Sequence, residues 1–123
     1  MMTGIVTANR EARIRLVVVG QDQRQETIEV VIDTGFNGFL TLPSHVVRAL
    51  NLPFVGNRRA MLGDGRSVVL DLYLATVIWN EEQREVPVLQ AEGGALIGMS
   101  LLYGYRVILH VVENGDVIID ALP

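Results

Sequence analysis

Asp33 is the residue in this chain best set for chemistry. It ends an apolar run, Val30-Val31-Ile32, and leads into Thr34-Gly35 and then Phe36-Asn37-Gly38-Phe39-Leu40-Thr41-Leu42-Pro43. A strand that ends on an aspartate presents the carboxylate at the turn. Gly35 permits a tight turn and the close approach of another backbone, and the Thr34 hydroxyl can hold the turn by bonding to main chain. One carboxylate cannot be base and acid at once. Two carboxylates about 3 Å apart can, because ionising both costs roughly 5.5 kcal/mol at an effective dielectric of ~20. One then accepts a proton from water while the other donates to a carbonyl oxygen, and the titration belongs to the pair. The chemistry is hydrolysis by an activated water.

No second copy of the motif is present. Asp22, Asp64, Asp71, Asp116 and Asp120 all lack a following Thr/Ser-Gly. The remaining source of a second carboxylate is a symmetry mate, which requires an isologous dimer. Other chemistries find little support. The chain has no cysteine, which removes disulfides, thiolate metal sites and cysteine nucleophiles. His45 and His110 are isolated in the sequence and read as surface or structural residues; no metal site and no cofactor are expected. There is no Gly-x-Ser-x-Gly elbow. Gly63-Asp64-Gly65 lacks the Gly-Lys-Ser/Thr of a phosphate loop. Gly35 stands where Asp-x-Asp phosphatases carry a second acid.

The elements that must position Asp33 are mostly strands. Ile14, Leu16 and Val18 alternate with Arg13 and Arg15 at period two. Gly20-Gln21-Asp22-Gln23 reads as a turn, and Ile28, Val30 and Ile32 share a face of the strand that delivers Asp33. Residues 45–50 read as a short helix with Ser44 as N-cap, ended at Asn51-Leu52-Pro53. Residues 54–62 and 66–79 read as the arms of a long hairpin around Gly63-Asp64-Gly65. Leu70, Leu72 and Leu74 sit on one parity and Val77 and Trp79 on the other, which predicts a bulge near Ala75-Thr76. Residues 84–90 make a further strand. Ala95-Leu96-Ile97 is a short buried run, followed by Gly98, a helical turn over 99–103 and a stop at Gly104. Val107, Leu109 and Val111 alternate before Asn114-Gly115, which predicts a tight terminal hairpin with 117–119. The sum is an all-β fold, a closed or nearly closed β-barrel with one or two short helices.

The 123 residues suit one domain, 1–123. Half are hydrophobic, on the apolar side for such a domain, as expected if some apolar surface is buried between subunits or in a dense core. Net charge is −4 and all ten basic residues are arginines, scattered along the chain. A nucleic-acid binder would cluster them, so no nucleic acid is expected, and Arg58-Arg59 reads as a solvated loop. Residues 1–13 lack the apolar core of a signal peptide, and no apolar run is long enough to span a bilayer. A soluble, cytoplasmic protein with no membrane contact is the expectation.

Three stretches together carry a resemblance to a retroviral-type (retropepsin-like) aspartic protease domain, and more narrowly to the bacterial group whose motif reads Asp-Thr-Gly-Phe. They are Val31 to Phe36 with the downstream Phe39-Leu40-Thr41-Leu42-Pro43, the Gly63-Asp64-Gly65 hairpin at the place of the flap, and Ala95-Leu96-Ile97-Gly98 with its helical turn. The resemblance implies a homodimeric endopeptidase acting on a peptide or protein. Asp33 would be the catalytic carboxylate, Thr34 a hydrogen-bonding lock across the dimer, and Gly35 the turn. Gly63, Asp64 and Gly65 would close over the substrate by strand-like pairing. Ile97 and Gly98 would pack beneath the catalytic loop. Phe36 stands where retroviral enzymes usually have Ala, near the substrate groove, and its ring either shapes an apolar pocket or fills part of the groove. In the second case the chain would be a non-catalytic dimeric peptide-binding or interaction module of the same fold.

Overall fold

In the computed structural model, which describes residues 1–61 and 64–123, 55% of the chain is strand and 8% helix. The strands found among these residues are β1 (Met2–Val6), β2 (Ala12–Val19), β3 (Gln25–Ile32), β4 (Leu40–Leu42), β5 (Phe54–Met61), β6 (Ser67–Trp79), β7 (Glu82–Gln90), β8 (Leu96–Ile97), β9 (Tyr105–Leu109) and β10 (Asp116–Ala121). Two short helices, α1 (Ser44–Ala49) and α2 (Met99–Leu102), follow β4 and β8.

All the strands join one sheet in the order β5-β6-β7-β4-β8-β3-β2-β1-β10-β9. The sheet curls until β6 also meets β2, at Val18↔Val77 and Val19↔Thr76. The ring is uneven, with β5 and β9 each keeping one unpaired edge among the described residues. The alternation in β2 and β3 does the work predicted of it: Ile14, Leu16, Val18 and Val30 point into the core with Val77, Trp79, Val86, Val88, Leu40 and Ile97. Each such side chain contributes on the order of 1.5–3 kcal/mol when fully buried. Parallel pairing of β3 with β8 (Val31↔Leu96, Ile32↔Ile97) sets the end of β3 beside the end of β8, so Asp33 emerges next to Gly98.

Several local expectations are corrected. Ser44 is the first helical residue of α1, not its N-cap; Pro43 occupies the cap. The Ser44 N–H instead donates to Glu92 Oε1 at 2.9 Å, a residue 48 positions away. No bulge breaks β6 near Ala75-Thr76, where its register with β7 runs unbroken from Leu72↔Leu89 to Trp79↔Glu82. The irregularity lies on the facing arm, between Phe54 and Gly56. Leu70, Leu72 and Leu74 are only partly buried, whereas Ala75, Val77 and Trp79 are buried in the part of β6 that pairs with β2 rather than β5. β7 begins at Glu82, after a two-residue turn at Asn80-Glu81 with both residues at positive φ. The tail is not a tight Asn-Gly hairpin: β9 ends at Leu109 and β10 starts at Asp116. Gly115 is needed because a Cβ there would collide with the His110 carbonyl. Arg58 and Arg59 lie in strand β5 and not in a loop.

Candidate active site

The Asp33 loop is held by main chain from β8 and α2. The Asp33 N–H donates to the Ile97 carbonyl at 2.9 Å, and the Phe36 N–H closes the turn on the Asp33 carbonyl at 3.1 Å. The segment after Ile97 completes the clamp. Gly98 N–H donates to the Phe39 carbonyl (3.1 Å), Met99 N–H to that of Phe36 (2.8 Å) and Ser100 N–H to that of Gly38 (3.1 Å). The Ser100 hydroxyl adds a bond to the Asn37 carbonyl at 2.5 Å. Beneath the clamp, buried Thr41 accepts the Leu96 N–H on its Oγ1 at 3.0 Å. Ser100 and Thr41 have no motif of their own; their roles follow from tertiary placement.

Asp33 is half-buried, and its Oδ1 accepts the Gly35 N–H at 2.9 Å. One carboxylate oxygen is thus oriented by the turn that carries it. Gly35 is not at positive φ; a Cβ there would stand 3.3 Å from Asp33 Oδ1, so within one subunit the demand for glycine is mild. Thr34 is exposed and borders an apolar hollow of about 450 Å³ that runs to α2 and β9.

Gly98 permits the clamp. A Cβ on it would stand 2.5 Å from the Phe36 carbonyl oxygen and nearer still to that of Gly38. The Phe36 ring lies down over the same two glycines, its Cδ2 2.6 Å from the place of a Gly98 Cβ and its Cζ 2.5 Å from that of a Gly38 Cβ. The ring therefore forms part of a wall. A hollow of about 380 Å³ remains between residues 35–39 of the loop and residues 58–61 of β5, lined also by Leu89 and Ser100.

The β5 arm of the β5–β6 hairpin lines one side of that hollow. Of the tip residues expected to close over a substrate, Gly63 lies outside the described residues. Gly65 takes φ +86°, which suits glycine. Asp64 receives the Arg66 N–H at 3.0 Å and its Nε at 2.6 Å. These bonds, the backbone one foremost, hold the Asp64 carboxyl below the usual carboxylate range. The structure thus brings Asp33, Thr34, Gly35, Phe36, Ile97 and Gly98 together, with Asp64 and Gly65 apart at the hairpin tip. Among the described residues no cluster of three His, Asp or Glu side chains could hold a metal, and no helix is long and apolar enough to cross a membrane.

No protein-family model matches the chain, and neither does any curated protein. A solved structure does: a retropepsin-like aspartic protease from Rickettsia conorii, with a TM-score of 0.61 at 15% sequence identity, over 98% of this chain and 89% of that one. At that identity the likeness establishes a retropepsin-like fold.

Proposed function

We propose that this chain is an aspartic endopeptidase of the Asp-Thr-Gly-Phe kind, a single domain working as a homodimer in which each subunit supplies Asp33. The observation that carries the reading is the Asp33 loop. Its carboxylate is oriented by the Gly35 N–H and its backbone is clamped by β8 and α2, beside a hollow that strand β5 also lines. The retropepsin-like fold supports it.

In the dimer one Asp33 is ionised and takes a proton from a water held between the pair. Its mate is protonated and donates to the oxygen of the scissile carbonyl. The resulting tetrahedral intermediate collapses as a proton passes to the leaving nitrogen. Thr34 bonds across the two-fold axis and keeps the loops in register. The hairpin arms add strand-like hydrogen bonds to an extended peptide, and Phe36 forms one wall of its groove. Packing of Phe36 onto Gly38 and Gly98 leaves the neighbouring hollow open, which favours an enzyme over a module with a filled groove.

The test compares wild type with Asp33→Asn on a diverse peptide library between about pH 4 and 7. Cleavage is expected to fall by about 10²–10⁴-fold or more in the variant, with the dimer intact by sedimentation. Equal cleavage by both proteins would point to a contaminant. A dimer that cleaves nothing in either form would make the chain an interaction module.

A further inference from the structure

We propose that the hollow between the Asp33 loop and β5 selects peptides that carry an acidic side chain, and that Arg58 is the residue that reads it. This rests on the reading of that hollow as part of a peptide groove.

The two arginines of β5 are adjacent, so they point to opposite faces of the strand. Residues paired across two strands share a face, and the register tells the two arginines apart. Arg58 is opposite Leu70, between the pairs Gly56↔Leu72 and Ala60↔Val68. Each of those neighbours is half-buried, which marks this face as the one turned to the body of the molecule. Arg59 is opposite the exposed Val69, between Asn57↔Asp71 and the exposed Met61. It lies on the outer face, where Asp71 stands diagonal to it as a counter-charge.

Arg58 has no such partner. The ion pairs found among the described residues involve Arg13, Arg66, Arg106 and His110, not Arg58. No acidic residue lines the hollow. Arg84, nearby, is already engaged: it donates to the Leu101 carbonyl at 3.4 Å and stacks on the Phe39 ring at 5.5 Å. On the wall facing Arg58, exposed Asn37 offers a side-chain amide as a second donor. The rings of Phe36 and Phe39 and the side chain of Leu89 supply apolar wall, against which a charged contact gains strength. A guanidinium in that setting is complementary to a carboxylate, which it can hold by two parallel N–H···O bonds. The outer edge of β5 is unpaired among the described residues and offers main chain to an extended peptide, so the carboxylate is that of a peptide side chain. Net charge −4 works against acidic peptides in general, and a preference for them must then come from this local cation.

The test passes a random peptide library over immobilised Asp33→Asn protein, which holds peptides without cutting them. The pH is about 6, where a glutamate of pKa about 4.3 is ionised. Among retained peptides Asp and Glu are expected to be enriched about three- to tenfold over Asn and Gln, between the value of an exposed ion pair and that of a desolvated one. In the same background Arg58→Gln is expected to erase the enrichment and Arg58→Glu to turn it toward Lys and Arg. Arg59→Gln, the same loss of charge on the outer face, is expected to retain it. Circular dichroism checks each fold. The wild-type protein is then given the same library, and its cleavage sites are expected to carry the acid at a fixed distance from the cut bond. Retention without acidic preference, or a preference that survives Arg58→Gln or falls equally in Arg59→Gln, would overturn the proposal. Cleavage with acids at no fixed position would overturn it and leave the protease reading standing. Acid-selective retention by a protein that cuts nothing would leave the selectivity standing and end the protease reading alone. A library neither retained nor cut would overturn both.

Discussion

Asp33 is surrounded by residues that act on it only through the backbone, and their substitution separates support from chemistry. Thr41→Val keeps shape but removes the acceptor of the buried Leu96 N–H. An unpaired buried donor costs about 1–3 kcal/mol, so the variant is expected to lose that much in urea unfolding while its dimer persists. A loss under 0.3 kcal/mol, well below the ~1 kcal/mol minimum, would mean that the N–H finds another partner. Gly98→Ala presses a methyl onto two carbonyl oxygens of the Asp33 loop. Such overpacking costs about 1–3 kcal/mol, and the loop must shift, so activity is expected to fall more than stability accounts for. An alanine variant with unchanged melting and unchanged turnover would show that the clamp gives way without consequence. The importance of Asp33 is readable from its motif, and that of Gly98 is what the family resemblance implies. That of Thr41 and Ser100 is not readable, because hydroxyls bonded to main chain 55 and 63 residues away leave no local pattern.

Among the elements, β2 and β3 and the β5–β6 hairpin follow from alternation, whereas strand ends and caps do not. The cap of α1 illustrates the reason. Ser44 next to a short helical pattern looks like a local N-cap, but Pro43 holds the cap position and the Ser44 N–H donates to a carboxylate brought in from Glu92. The Ser44 hydroxyl and N–H, with His45 and Arg48 nearby, hold the Glu92 carboxyl below the usual range. The hairpin tip offers a pH-dependent test. Asp64 is held low by the Arg66 N–H and then by its guanidinium. A carboxyl lowered on folding adds stability that is present above the unfolded value, about 3.9, and is lost as pH falls through the folded value. The Arg66 amide proton resonance is therefore expected to titrate with a midpoint below that of a peptide aspartate, and Asp64→Asn to abolish the titration. A midpoint at the peptide value would mean that the tip is unlatched in solution.

The whole molecule carries one Asp-Thr-Gly, and on the proposed reading this sets how activity would depend on concentration. If the working unit is a dimer, cleavage per chain is expected to fall in proportion to concentration below the dissociation constant and to level off above it. Turnover per chain that stays constant through the monomer–dimer transition seen by sedimentation would assign the activity to a monomer. The high apolar content fits the same picture. The core accounts for much of it, but Met99, Tyr103 and Leu109 remain exposed around the hollow beside Thr34.

Read alone, the amino-acid order establishes the β character and the single Asp33 motif; that Ile97-Gly98 packs beneath the Asp33 loop comes only as what the family resemblance implies. These depend on period-two burial and on residue types that few settings accept, and both are local properties. It leaves open which strands are edges, where the bulge falls, what caps α1 and which way Phe36 turns. Each of those depends on groups far apart in the chain meeting in space: β1 filling the gap between β2 and β10, Glu92 reaching Ser44, and Gly38 and Gly98 leaving room for a ring. The termini show the difference most clearly. Nothing in residues 1–6 or 117–123 marks them as partners, yet β1 pairs with β10 and leaves β9 as an edge strand beside the hollow that reaches Ile32 and Thr34.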